Sequence, residues 1–285
     1  MGIALGVFVV SLYGLVMMRS GWRSPATAQS GHIAALDADL LFLDASSIVE
    51  RGPSRVMVLR LNSPVELVPH HYRTAGLPGP MTADEWRKRL DAPVVFNAGQ
   101  FDEDDEHLGW LKAEGQWISR LHREQWKALL VSSPREGASF SGIIDLEKTD
   151  DDAVERYRNV LQSMMLVDRE KGIRVRASER TACRTVVAQD TQGRMLLILT
   201  EGAVTLSKLG QWLSETDLDI VRAMNLDGGL ESQIAVHTDE LSMTLYGQYG
   251  SGSEVFDAGA GALRRRVPAV IAVHPVKATT TQASR

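Results

Sequence analysis

Thr185-Val186-Val187-Ala188-Gln189-Asp190 and Met195-Leu196-Leu197-Ile198-Leu199-Thr200 flank the dipeptide Gln192-Gly193. Two short apolar runs around such a dipeptide predict a β-hairpin. Upstream, Arg55–Leu61 is bounded by Pro53 and Asn62-Ser63-Pro64 and reads as a strand. Pro93-Val94-Val95-Phe96 is a short buried strand that ends in Asn97-Ala98-Gly99. Gln116-Trp117-Ile118-Ser119 and Ser141-Gly142-Ile143-Ile144-Asp145 add two more, and residues 267–273 make a closing strand. Helical signals are fewer. Thr82 precedes a helix as N-cap, with Glu85 at the capping-box position. Thr205 caps a second helix over 206–213, with Leu206, Leu209 and Leu213 on one side. Residues 150–165 begin with acids and carry Val154, Tyr157, Val160, Leu161 and Met164 at helical spacing, which predicts a third. Residues 34–48 mix leucines with Asp37, Asp39 and Asp44 and show no clear period. The expected fold class is therefore α+β: mixed, strand-rich sheets flanked by a few helices, in a single catalytic-type domain.

The chain has 285 residues, 44% of them hydrophobic and 24% charged, which excludes a disordered chain, a collagen and a multi-span membrane protein. A net charge of -5 gives no global basic footprint, so no nucleic-acid partner is expected. Cys183 is the single cysteine, so no intrachain disulfide forms. Residues 2–18 carry no charge, and Ala26-Thr27-Ala28 is a small-x-small cleavage site. Arg19 and Arg23 follow the apolar run instead of preceding it. Residues 1–28 are thus expected to be a signal peptide or a membrane anchor, and the protein exported: periplasmic, secreted or held on the membrane by this segment. Residues 29–54 read as a linker and N-terminal extension, 55–276 as the main domain and 277–285 as a polar tail. The glycines of residues 246–261 suggest a mobile loop.

Three segments place a polar residue beside a buried strand. In Asn225-Leu226-Asp227-Gly228-Gly229, Asn225 and Asp227 share a face of an extended chain, and the glycines let a ligand approach the backbone. The same letters also describe a plain Asp-Gly turn. Arg184 opens an apolar strand; its guanidinium either binds phosphate or carboxylate, or rests in solvent or against Asp227. Asn97 ends a buried strand before a glycine turn and has the same two readings. The acids of 102–106 offer oxygens for a divalent cation or form a solvated loop. His70, His71 and His107 have no partner at metal-ligand spacing, and no P-loop, dinucleotide fingerprint or nucleophile elbow is present.

Taken in order, these segments resemble the phosphodiester glycosidase family, whose members include many bacterial exported proteins. The resemblance rests on Asn97 to Phe101, on Arg184 to Ala188 with Asp190 and Gly193, and on Thr205-Leu206-Ser207-Lys208-Leu209. It is completed by Asn225-Leu226-Asp227-Gly228-Gly229 and Arg265-Arg266-Val267-Pro268, and spans residues 56–273. Leu230, Glu231, Gln100 and Ala188 depart from the family pattern.

The resemblance implies a hydrolase that cleaves a sugar-1-phosphodiester at the anomeric C–O bond, with a sugar-phosphate or an envelope or extracellular glycan phosphodiester as substrate. Asp227, Arg184 and Asn97 would be the catalytic residues, with Arg184 on the phosphate and Asp227 beside the anomeric carbon. Asn225, Gly228, Gly229, Gly99, Thr185 and Glu231 would bind substrate, with no certain cofactor and a divalent cation as an option. The side chains of Asn97, Arg184 and Asp227 should then lie within about 10 Å of one another, on the scale of one pocket. A non-catalytic carbohydrate or cell-envelope binding protein, and a metal-dependent phosphodiesterase, are the alternatives.

Overall fold

The computed structural model describes residues 29–250 and 264–276. The N-terminal run, residues 251–261 of the glycine-rich segment and the polar tail lie outside the described residues. In chain order the strands are β1 (Gly31–Ile33), β2 (Ala38–Asp44), β3 (Arg55–Leu61), β4 (Val65–His71), β5 (Val94–Asn97), β6 (Trp110–Ala113), β7 (Gln116–Arg120), β8 (Ala128–Pro134) and β9 (Ser141–Asp145). They continue with β10 (Tyr157–Val167), β11 (Arg184–Asp190), β12 (Met195–Thr200), β13 (Ile220–Gly228), β14 (Gln233–His237), β15 (Ser242–Tyr246) and β16 (Ala269–Pro275). The α-helices among the described residues are α1 (Ala83–Leu90) and α2 (Leu206–Glu215), and none is long and apolar enough to cross a membrane.

β11 and β12 form the expected hairpin, with Thr185 opposite Leu199 and Gln189 opposite Met195. Gly193 supplies the left-handed turn residue at φ 82°. The Asp190 carboxylate accepts from the Gln192 and Arg194 amides at 3.0 and 2.9 Å and from Arg194 Nε at 2.6 Å. Every residue of β12 is buried, as are Thr185 to Asp190 of β11. Such continuous apolar strands need cover on both faces. Val187, Leu197 and Leu199 point into the core shared with Phe96, Ile234 and Ile271 of a second sheet. Val186, Ala188, Leu196 and Ile198 pack instead with Leu209 and Leu213 of α2.

The larger sheet has eleven strands in the order β1-β2-β3-β12-β11-β13-β10-β6-β7, with β8 and β9 joined through β10. The smaller has five, β15-β14-β5-β16-β4. The two face each other across one apolar core, and the class is α+β, mostly β, in a single domain. Trp86 of α1 is buried against Val95, Val270 and Ala272 of the smaller sheet. Its helix starts at the predicted capping box, where Thr82 Oγ1 accepts from the Glu85 amide and Glu85 accepts from the Thr82 amide at 2.8 Å. Residues 31–44, within the stretch read as linker and extension, supply β1 and β2, which extend the larger sheet beyond β3.

Residues 150–165 correct the sequence reading. A short 3₁₀ turn, Asp151–Arg156, leads into the eleven-residue strand β10. β10 pairs with β13, β6 and β8 and is buried on both faces over most of its length. A strand with no solvent face loses its period-2 signature, so its apolar residues fit helical spacing by chance. The closing strand runs 269–275, and Val267 instead bridges to Met81.

Candidate active site

The three motif segments meet where the sheets face each other. Asn97 is the last residue of β5 in the smaller sheet, while Arg184 opens β11 and Asp227 and Gly228 close β13 in the larger one. Asn97 Oδ1 accepts from Thr185 Oγ1 at 2.8 Å and from the Gln233 amide at 2.9 Å. Its Nδ2 donates to the Asp227 carbonyl at 3.1 Å and the Ala98 carbonyl at 3.3 Å. A carboxamide has two acceptor and two donor sites, and here all four are used by protein. Asn97 is 1% exposed. It holds the site together, with Thr185 as its partner, and has no hydrogen-bonding capacity left for a ligand.

The β11–β13 pairing is irregular: Arg184 faces Gly228 and Val186 faces Asn225, so β13 has an extra residue there. Such a bulge re-aims the side chains beside it. Asp227 and Gly228 line a cleft of about 730 Å³, together with Arg184, Arg265, Gly229 and Glu231. Asn225, expected on the same face as Asp227, is buried and is not part of the cleft wall. Gly99 also lies away from this cleft. It borders a smaller cavity of about 70 Å³ that shares Asp227 and Glu231. A Cβ at Gly99 would fall 2.2 Å from His107 Nε2, so the glycine makes room for a buried imidazole.

Arg184 Nε donates to the Val204 carbonyl at 3.2 Å and Nη2 to the Arg180 carbonyl at 2.9 Å. Among the described residues it forms no ion pair with a carboxylate, and Nη1 has no protein acceptor. Burial lowers its pKa, and Cys183 and Asp227 oppose this. Gly228 and Gly229 both serve the backbone here. Gly229 has φ 73° and donates its amide to the Cys183 carbonyl at 2.8 Å.

Asp227 is the perturbed carboxyl of the site. Burial first, then the Glu231 charge, pushes its pKa up to about 8, against the pull of the Gly228 amide, Arg265 and Arg184. The Gly228 amide donates to Asp227 Oδ1 at 2.9 Å. Glu231 is itself held by Arg265, Nε to Oε1 at 3.1 Å. At neutral pH Asp227 thus keeps its proton beside a guanidinium with a free edge. A neutral acid does not repel an anion bound there and can donate to it.

Sequence reasoning missed part of the wall. Arg176, Ser178, Arg180 and Met164 line the cleft, as do Gln100 and Phe101. The available signal was the run of Arg174, Arg176, Arg180 and Arg184 in an acidic chain. The 102–106 acids are occupied locally: Asp102 Oδ1 accepts from the Asp104 and Glu106 amides, and Glu106 pairs with Arg73. No group of three or more His, Cys, Asp or Glu among the described residues is arranged to share a metal ion.

A family model described as phosphodiester glycosidase matches residues 91–274. The fold is similar to the catalytic domain of zebrafish N-acetylglucosamine-1-phosphodiester alpha-N-acetylglucosaminidase, solved auto-inhibited by its pro-peptide. Identity is 16% and the TM-score 0.59, covering 88% of this chain and 87% of that one. It is also similar to a hypothetical protein from Synechocystis, at 13% identity and TM-score 0.57, over 84% of this chain and 62% of that one. No curated protein matches the sequence. Identities this low speak for the fold alone, but the family model covers more than half of the residues, and on that match the chain belongs to the phosphodiester glycosidase family.

Proposed function

We propose that the protein hydrolyses a sugar-1-phosphodiester at the anomeric C–O bond. The observation that carries this reading is Asp227, a carboxyl raised to about 8, in one cleft with the Arg184 guanidinium, which has no carboxylate partner among the described residues. Arg184 binds the phosphate through its free edge, the geometry in which a guanidinium recognises phosphate oxygens. Neutral Asp227 donates to the bridging oxygen. The C–O bond breaks and its electron pair leaves with the phosphate, while Asp227 keeps its proton and holds the departing oxygen by a hydrogen bond. Positive charge develops on the sugar, and the Glu231 carboxylate sits close enough to Asp227 to stabilise it electrostatically. Water adds to the anomeric carbon and its proton passes to Glu231, whose placement is fixed by Arg265. The leaving phosphate monoester has a second pKa near ~6, so it departs with modest help from an acid. Gly228 and Gly229 keep the wall low, and Asn97 positions Asp227 through its backbone carbonyl.

The uncharged run of residues 2–18 and the small-x-small site after it support export, which places the substrate among envelope or extracellular glycan phosphodiesters. Fractionation of cells carrying a C-terminally tagged chain tests this, and a wholly cytosolic signal overturns it. The reaction is tested with purified protein on a panel of sugar-1-phosphodiesters in ¹⁸O-water, with Asp227→Asn as control. Label in the sugar is expected. Label in the phosphate means P–O cleavage, and binding without turnover means a carbohydrate-binding protein; either result overturns the proposal.

A further inference from the structure

The cleft is larger than this reaction needs. At about 730 Å³ it lies high in the range of roughly 300–1,000 Å³ typical of ligand pockets, with room beyond one sugar phosphate. One wall takes no part in the chemistry described above: Arg176, Ser178 and Arg180, all exposed.

The loop that carries them is fixed at both ends. Val167 bridges to Ile173, and Ala182 bridges to Val204. Arg174 Nη1 lies 3.3 Å from Asp168 and 3.4 Å from Asp145, and Nη2 pairs with Glu147. The charge of Arg174 is thereby spent on the scaffold. Arg176 and Arg180 differ: among the described residues neither forms an ion pair with a carboxylate. The acid between them, Glu179, forms no ion pair with either among the described residues. The carboxyl groups among the described cleft-lining residues are Asp227, which holds its proton at neutral pH, and Glu231, which is paired with Arg265. The Arg180 carbonyl also accepts from Arg184 Nη2, so the loop is tied to the guanidinium assigned to the scissile phosphate. Two guanidinium groups with no carboxylate partner among the described residues, on one wall of a net-acidic protein, attract an anion. Two planar forks and a hydroxyl suit the oxygens of a tetrahedral phosphate.

We propose that Arg176, Ser178 and Arg180 form a second phosphate subsite, so that the substrate carries a further phosphate group beyond the scissile one. This rests on the reading of Arg184 as the scissile-phosphate site. The substrate class is then a glycan with repeated phosphates instead of an isolated diester.

The test compares inorganic phosphate with tripolyphosphate by calorimetry at one ionic strength. Wild type is expected to bind tripolyphosphate at least about tenfold more tightly, the worth of one or two charge-assisted hydrogen bonds. Arg176→Gln with Arg180→Gln is expected to bring the ratio down to about threefold or less, each single variant giving part of the loss. Arg158→Gln with Arg169→Gln removes two exposed guanidinium groups outside the cleft and is expected to leave the ratio intact. Arg184→Gln is expected to weaken both probes. An unchanged ratio in the Arg176/Arg180 variant, or an equal fall in the Arg158/Arg169 control, overturns the subsite. Selectivity without turnover of any diester leaves the subsite standing and removes the hydrolase reading. Turnover without selectivity removes the subsite alone.

Discussion

The guanidinium of Arg184 lies over Gly228: a Cβ at position 228 would sit 3.2 Å from Arg184 Nη1 and 2.9 Å from the Cys183 carbonyl. The two residues are partners in the β11–β13 register, so glycine at one is the steric condition for the arginine's placement at the other. Gly228→Ala is expected to push the guanidinium out of position. Loss of kcat/KM by about 10–100-fold follows from a misplacement of an ångström. The accompanying loss of stability is expected to stay within ~1–3 kcal/mol, as for other overpacking substitutions. Steady-state kinetics and urea unfolding of the same preparation separate the two effects.

Asp227 acts in its protonated form. The rate is therefore expected to fall as pH rises through about 8. Asp227→Asn should cost about 10²-fold in kcat, the low end for a group acting on a leaving oxygen, because the phosphate departs with modest help. Glu231→Gln removes a negative charge that helps hold the proton, so the alkaline limb of kcat/KM should move to lower pH. A limb that stays in place in this variant would show that another group governs it.

The same carboxyl links stability to pH. Its pKa is 3.8 in a free side chain and about 8 in the fold, so between these values the native state binds a proton that the unfolded chain does not. Stability is fully present below the lower value and is lost as pH rises through the upper one. Asp227→Asn has no such loss. Its Tm should exceed that of wild type at about pH 9, and the gap should close near about pH 4. Calorimetric melts across that range check both ends.

Asn97→Ala should destabilise the protein by ~2–4 kcal/mol, because Thr185 Oγ1, the Gln233 amide and the Asp227 carbonyl all lose a buried partner. Thr185→Val removes one of these bonds and should cost about 1 kcal/mol. Urea titrations of both variants and of the double variant would show the coupling as a departure from additivity.

The hairpin and both helix caps were legible in the sequence from local signals, a turn glycine and N-cap residues, while the meeting of Asn97, Arg184 and Asp227 was implied by the family resemblance. What was not legible depends on packing between distant segments. β10 is buried on both faces over most of its length, so its residues carry no period-2 pattern to distinguish strand from helix. Asn97 reads as a possible ligand contact until Thr185, Gln233 and Asp227 are seen to use up its amide. Arg176 and Arg180 reach the cleft because Arg174 is anchored to Asp145 and Asp168, and only one of those acids is near in sequence. The bulge that separates Asp227 from Asn225 arises from pairing with β11.

One carboxamide thus fastens the end of β5 to the beginnings of β11 and β14. Slippage of either layer would scatter the phosphate-binding groups before much helix or strand had melted elsewhere. No half-molten form should retain anion recognition. Phosphate affinity is then as sharp a reporter of the intact double layer as circular dichroism, and protection from proteolysis by phosphate should vanish at the first loosening of that junction.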